Sequence, residues 1–412
     1  MTSIQPPILR AWRASFGWAV ACMLLLAVSR SLAEQPKPFC TFTAGSQLMC
    51  LEFSPDGRTL VSAVQREREG PSELKIWDVK TGTNTVNFLG HAGVILSVAF
   101  SPDGKMLASA GGRYANEAES RPKSDEGELR LWEVATGKTF ANPTAGDGMV
   151  MSIVFSPDGT KLASANQIGT VDVWEVATGK KLATIATGGA ISPFPGSHSL
   201  AFSPDGKKLA VGGGQFRRPD GGVTGQVQLW DLTTGERTAA LNGHPGEGCF
   251  SNMFAFALSV AFSPDGKTVV SGGARTVGLW EVATGKNLMP IQGADALVVW
   301  RAIFGPGGRS IAVMNEVRRP GGGVKNPTQA EIRVVDVSSG EQLATYSGDG
   351  QLSLSAVLSP DGRTLASAGQ GGTINVWDTA ALWVQTSKDV TPKNDGSDSS
   401  PPATNGRNHA RK

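Results

Sequence analysis

The side chains best suited to metal ligation or nucleophilic chemistry are four histidines, His91, His198, His244 and His409, and four cysteines, Cys22, Cys40, Cys50 and Cys249. Their spacing does not build a site. No CxxC pair, HExxH helix turn, GxSxG nucleophile elbow or GxxxxGK[ST] phosphate loop is present. Gly212-Gly213-Gly214 and Gly321-Gly322-Gly323 fall between strand-like segments, so they lack the helix N-terminus that makes a glycine loop an anion site. The expectation is a non-catalytic chain with no cofactor and no metal. Recognition chemistry is better represented. Arg66, Arg68, Arg113, Arg121, Arg217, Arg218, Arg318 and Arg319 recur in irregular segments, two of which share Arg-Arg-Pro. Arginine offers a planar fork to carboxylates and is over-represented at binding hot spots. Glu67, Glu69, Glu117, Glu119, Asp125, Glu126 and Asp220 accompany these arginines, so mixed-charge solvated loops are the competing reading. The segment 243–256 adds Cys249, Phe250, Met253, Phe254 and Phe256. Such apolar content suits either a binding loop or a plug over the neighbouring structure.

The elements that position these residues begin after a leader. Arg10 and Arg13 precede an apolar run from Phe16 to Val28, and Ser31-Leu32-Ala33 offers small residues at a cleavage site, which predicts a secretory signal peptide over 1–33. The run is short of the ~20 residues that span a bilayer. Its removal takes three arginines from 38 basic residues and leaves 35 against 36 acidic ones, a net charge of about −1. Near-neutrality argues against a general nucleic-acid or anionic-membrane binder, because such proteins draw affinity from clustered positive charge. The mature chain is expected in the periplasm or outside the cell, as a soluble monomer. Three mature cysteines make no disulfide framework, and Cys40 and Cys50 are expected as free thiols.

With 52 glycines, 24 prolines and only 18% charged residues, the composition favours short strands joined by tight turns. Ser54-Pro55-Asp56-Gly57 recurs at Ser101, Ser156, Ser203, Ser263 and Ser359, and Gly305-Pro306-Gly307-Gly308 is a degraded seventh copy. Pro presets the second position of a type I turn, Asp suits the third, and Gly accepts a positive φ. After each turn comes a strand ending in Trp77-Asp78, Trp132-Glu133, Trp174-Glu175, Trp230-Asp231, Trp280-Glu281, Val335-Asp336 or Trp377-Asp378. A further tight turn of the Thr-Gly or Ser-Gly type follows in six repeats.

Four strands per unit and Trp-Asp at the end of the third resemble the WD-repeat, G-protein β-subunit-like β-propeller family, here of a secreted bacterial type. The Pro-Asp repeat propellers of bacterial periplasmic proteins share the Ser-Pro-Asp-Gly turn and are the alternative. The resemblance covers residues 39 to about 378. It implies an all-β, seven-bladed propeller of four-stranded antiparallel blades over 34–384; the polar, Ser-, Asn-, Asp-, Pro- and Gly-rich composition beyond predicts a disordered tail over 385–412. It also implies that Trp77, Trp132, Trp174, Trp230, Trp280 and Trp377 are packed structural residues. His91 and His244, each preceded by Gly, are expected to tether loops to the blades. The family's Asp between second and third strands is missing from blades three, five and seven, so the buried tetrad is incomplete. Phe39-Cys40-Thr41-Phe42 resembles a fourth strand, which predicts that the N-terminus completes blade seven and removes an open edge.

Antiparallel strands put the Ser-Pro-Asp-Gly and Thr-Gly turns on one face and all insertions on the other. These insertions are expected as loops over 64–73, 111–127, 212–225 and 314–329, with two more at 187–198 and 243–256. A non-catalytic scaffold for protein–protein interaction is the function read from this arrangement, with the insertion face as the binding face. Arg113, Arg121, Arg217, Arg218, Arg318, Arg319, Phe250, Met253 and Phe254 are its candidate contacts. A small ligand or carbohydrate bound at the channel mouth, or an enzyme with a site assembled from loop residues, is the alternative.

Overall fold

The repeated turn closes on itself before it joins two strands. In the first copy Gly57 N–H donates to the Ser54 carbonyl at 2.9 Å, Ser54 Oγ donates to Asp56 Oδ1 at 2.6 Å, and Arg58 N–H donates to the same carboxylate at 3.0 Å. Gly57 takes φ +69°, a conformation that glycine enters without a Cβ penalty. Asp103, Asp158, Asp205, Asp265 and Asp361 accept from their own turn serines in the same way. The degraded copy has no carboxylate and relies on two left-handed glycines, Gly307 and Gly308.

The computed structural model describes residues 38–380 apart from 46, 66–71, 114–125, 144, 190–198, 217–222, 245–256, 274–275, 293–295, 319–327, 348–354 and 369. Seven four-stranded antiparallel sheets form a ring of blades. From the channel outward, blade one is Gln47–Phe53, Thr59–Gln65, Ser72–Asp78 and Asn84–Phe88. Blade two is Val94–Phe100, Met106–Arg113, Glu126–Glu133 and Thr139–Ala141. Blade three is Val150–Phe155, Lys161–Asn166, Thr170–Glu175 and Lys181–Ala186. Blade four is Leu200–Phe202, Lys208–Phe216, Val223–Asp231 and Arg237–His244. Blade five is Ser259–Phe262, Thr268–Gly272, Thr276–Glu281 and Asn287–Gln292. Blade six is Ala296–Phe304, Ser310–Arg318, Thr328–Asp336 and Gln342–Ser347. Blade seven takes Ala356–Leu358, Thr364–Ala368 and Thr373–Asp378 from one end of the chain and Cys40–Thr43 from the other, with Cys40 opposite Val376. Cys40 on this outer strand and Cys50 on the innermost strand of blade one are both free.

Each blade is covered on both faces by its neighbours, so its inner strands do not alternate between core and solvent. Leu162-Ala163-Ser164-Ala165 is buried throughout, and so are its counterparts in blades one and two. Alanine and serine suit these positions because neighbouring sheets approach closely. In six blades a register shift just before the residue that ends the third strand turns that side chain into the space between blades. The acid that follows closes the next turn: Asp78 Oδ1 accepts from Thr81 N–H at 2.8 Å, and the turn N–H and hydroxyl groups hold its carboxyl below the ordinary range.

Candidate functional site

Beneath the end of each third strand the indole N–H must find an acceptor, because a buried unpaired donor is costly. A serine on the second strand supplies it. Trp77, Trp132, Trp174, Trp280 and Trp377 donate through Nε1 to Ser62, Ser109, Ser164, Ser271 and Ser367 at 2.7–3.1 Å. In blade four the serine position is Val211, and half-buried Trp230 donates instead to Gln228 Oε1 at 3.1 Å. Blade six has neither partner: Val335 stands for Trp and Val313 for Ser, and both are buried. In blade five a Cβ on Gly278 would lie 2.5 Å from the Trp280 ring, so only glycine admits the ring there.

Blade two extends the Trp–Ser pair into a relay. His91 Nε2 lies 2.5 Å from Ser109 Oγ, and His91 Nδ1 lies 3.1 Å from Glu128 Oε2, angled off the best hydrogen-bond line. Glu128 also accepts from Arg130 Nε at 2.8 Å and from Ala92 N–H at 3.0 Å. Burial alone would raise the Glu128 carboxyl, but these donors hold it at about 2. Burial holds His91 below its ordinary value against the pull of Glu128. Ser–His–Glu order superficially matches a hydrolase triad. Ser109, however, is 0% exposed and accepts from Trp132, so the relay packs blade two and presents no nucleophile. Sequence reading singled out His91 but missed Ser109, Glu128 and Arg130. The available signal was the serine that recurs two residues past the first buried aliphatic of the second strand in five of the seven blades. Among the described residues no three His, Cys, Asp or Glu side chains are grouped to hold a metal ion.

The insertion face departs from expectation in one respect. The described ends of the segments read as loops are ladder: Gly111, Gly112 and Arg113 pair with Glu128, Gly127 and Glu126, blade four pairs out to Phe216–Val223, and blade six to Arg318–Thr328. Blade one pairs out to Gln65–Ser72. Backbone groups in a hairpin satisfy one another, so an insertion of this length continues the strands before it turns. Second strands of eight or nine residues in blades two, four and six therefore alternate with strands of five or six in blades three, five and seven. Arg113 is exposed, its Cγ lying 3.0 Å from where a Cβ on Gly93 would stand. Arg318 ends the second strand of blade six and His244 ends the outer strand of blade four. Arg121, Arg217, Arg218, Arg319, Phe250, Met253 and Phe254 lie outside the described residues, as do the predicted signal peptide and polar tail.

Exposed large apolar side chains divide between the faces. Leu89 and Ile168, 66% and 60% exposed, sit on the insertion face. Phe39, Phe140, Leu182 and Leu288 sit where outer strands leave or approach the opposite face. There Leu182 lines a groove of about 750 Å³ between blades two and three. A smaller cavity of about 330 Å³ lies against Phe155, Phe202, Phe262 and Phe304 at the channel mouth of that face.

The WD domain, G-beta repeat, model matches residues 82–133, 235–281 and 338–378. Each match runs from an outer strand through the first three strands of the following blade, so the sequence unit bridges two structural ones. These three segments are similar to WD repeats. It is similar to periodic tryptophan protein 2 of Arabidopsis thaliana, 24% identical over 248 residues, which is 59% of this chain and 23% of the relative. The Schizosaccharomyces pombe homolog of that protein is 27% identical over 183 residues, covering 41% and 19%. WD repeat-containing protein SL1-17 of Schistosoma mansoni is 26% identical over 204 residues, covering 49% and 56%. The matched region thus spans about a fifth of the first relatives and about half of the last. All three relatives are eukaryotic, so they lend no support to a secreted bacterial type. WD-repeat propellers generally act as scaffolds for protein–protein interaction.

Proposed function

We propose that this WD-repeat propeller is a non-catalytic platform that binds a protein partner on its insertion face. The observation behind this reading is the alternation of hairpin length. Blades two, four and six raise longer hairpins around the lower blades three and five, and arginines stand at or beyond their ends. Rigid strands that hold variable segments in place are the usual setting for recognition. Export through the leader 1–33 belongs to the same proposal, and mass spectrometry of the native protein checks it by whether the chain begins at Glu34.

The binding experiment is capture from the native source, followed by titration of the identified partner with purified variants. Replacing Arg113, Arg217, Arg218, Arg318 and Arg319 by Ala should weaken binding at least thirtyfold, because a hot-spot arginine is worth ~2 kcal/mol or more. Unchanged binding, with loss on replacing Lys105, Lys207 and Leu182 instead, would transfer the function to the opposite face.

A further inference from the structure

Innermost strands share a pattern that two residues break together. Four residues before each turn stands a serine, at Ser97, Ser152, Ser199, Ser259 and Ser355, but blade one has Cys50 and blade six has Arg301. Two residues before each turn stands Ala99, Val154, Ala201, Ala261, Ile303 or Val357, but blade one has Glu52. Three of these serines join blades. Ser97 Oγ accepts from Ile153 N–H at 3.1 Å, Ser259 from Ala302 N–H at 2.9 Å, and Ser355 from Leu51 N–H at 3.2 Å. Arg301 therefore occupies the place from which blade six would offer the same hydroxyl to blade seven. Its guanidinium instead lies 3.7 Å from the Glu52 carboxylate, with the two side chains 13% and 27% exposed. Blade seven stands between blades six and one in the ring, so the pair passes its inner edge on the channel side.

Among the described residues the same joint has the smallest shared core. Among the described residues, blades six and seven enclose three buried side chains, Met314, Leu365 and Trp377. Blades seven and one share thirteen, two and three share eleven, and five and six share seven. Buried apolar contact sets which part of a fold opens first. We propose that Arg301 and Glu52 brace the ring across its weakest joint, between blades six and seven, and that the ring opens first at that joint. The closure made by the Cys40–Thr43 strand sits on the better-packed side of blade seven, against blade one. Burial raises the Glu52 carboxyl against the pull of Arg301, so loss of either partner takes away an opposite charge that offsets the burial of the other.

Amide hydrogen exchange on the full chain tests both parts. In the unaltered protein, amides of Ser310–Arg318 and Thr364–Ala368 should exchange at least tenfold faster than those of Lys161–Asn166 in blade three. Uniform exchange, or faster opening at another joint, overturns the assignment of the weak joint. Glu52→Ala and Arg301→Ser should each raise exchange at the joint at least a further tenfold and leave blade three unchanged. The double variant restores the residue types of the other blades and should exchange no faster than either single one. Additive effects, or no effect at the joint, overturn the brace. Should a single variant fail to fold, Glu52→Gln and the double variant read the same coupling.

Discussion

Blades two and six have the same strand order and opposite interiors. Blade two threads Trp132, Ser109 and His91 into a hydrogen-bonded relay that ends against Glu128, whereas blade six fills the corresponding space with Val335 and Val313. A buried indole N–H needs an acceptor and a buried hydroxyl needs a partner, so where the serine is lost either the tryptophan goes with it or another acceptor takes its place. Blade four is the intermediate case: it has lost the serine but kept the tryptophan, and Gln228 takes up the N–H.

The largest effect should come from Trp132→Ala, at about 3–5 kcal/mol by denaturant titration, since it opens a cavity and strips Ser109 of its donor. Val335→Ala should cost only about 1–2 kcal/mol. Equal costs would mean that the relay adds nothing to packing.

Next come the mismatches. Ser109→Ala leaves the Trp132 N–H buried without its acceptor, and Val313→Ser puts a hydroxyl where blade six has no indole to meet it. Each should cost about 2 kcal/mol. Combining Val313→Ser with Val335→Trp, which face blade five, should lose less than the sum of the two changes. Strict additivity would sever the link between the two positions.

Acid sharpens the same contrast. Below the ordinary histidine value of 6.5 the unfolded chain protonates His91 while the folded chain, with that value depressed, does not, so stability begins to fall as pH drops through this range. The folded Glu128 carboxyl stays ionised down to about 2, whereas the unfolded one protonates near 4.5, so a second loss runs between those values. In Glu128→Gln this second loss should shrink by about 2 kcal/mol, measured as the difference in unfolding free energy between pH 5 and pH 2.5. Identical pH profiles would place the acid sensitivity elsewhere.

Arg113→Ala marks the lower limit. Its side chain is exposed, so its removal should change stability by less than about 0.5 kcal/mol, and a larger loss would make it a structural rather than a recognition residue.

Seven turns of the Ser-Pro-Asp-Gly type, each followed by a strand ending in Trp or Val, specified blade number, strand order and the two faces from local chemistry alone. Those features repeat in the chain and need no distant partner to be read. The N-terminal strand in blade seven was legible for the same reason, because Cys40–Thr43 resembles the other outer strands. Other features required the ring. Residues 111–113 and 126–127 read as an insertion because their glycines and charges look like loop, yet the antiparallel partner across the hairpin turns them into strand. Glu128 came to the end of the relay only when the third strand of blade two was laid beside the loop that carries His91. Glu52 and Arg301 are 249 residues apart and meet only once the blades close into a circle. Turn and strand preferences are settled within a few residues, whereas a buried charge or N–H is satisfied by whatever the closed ring brings within about 3–4 Å of it.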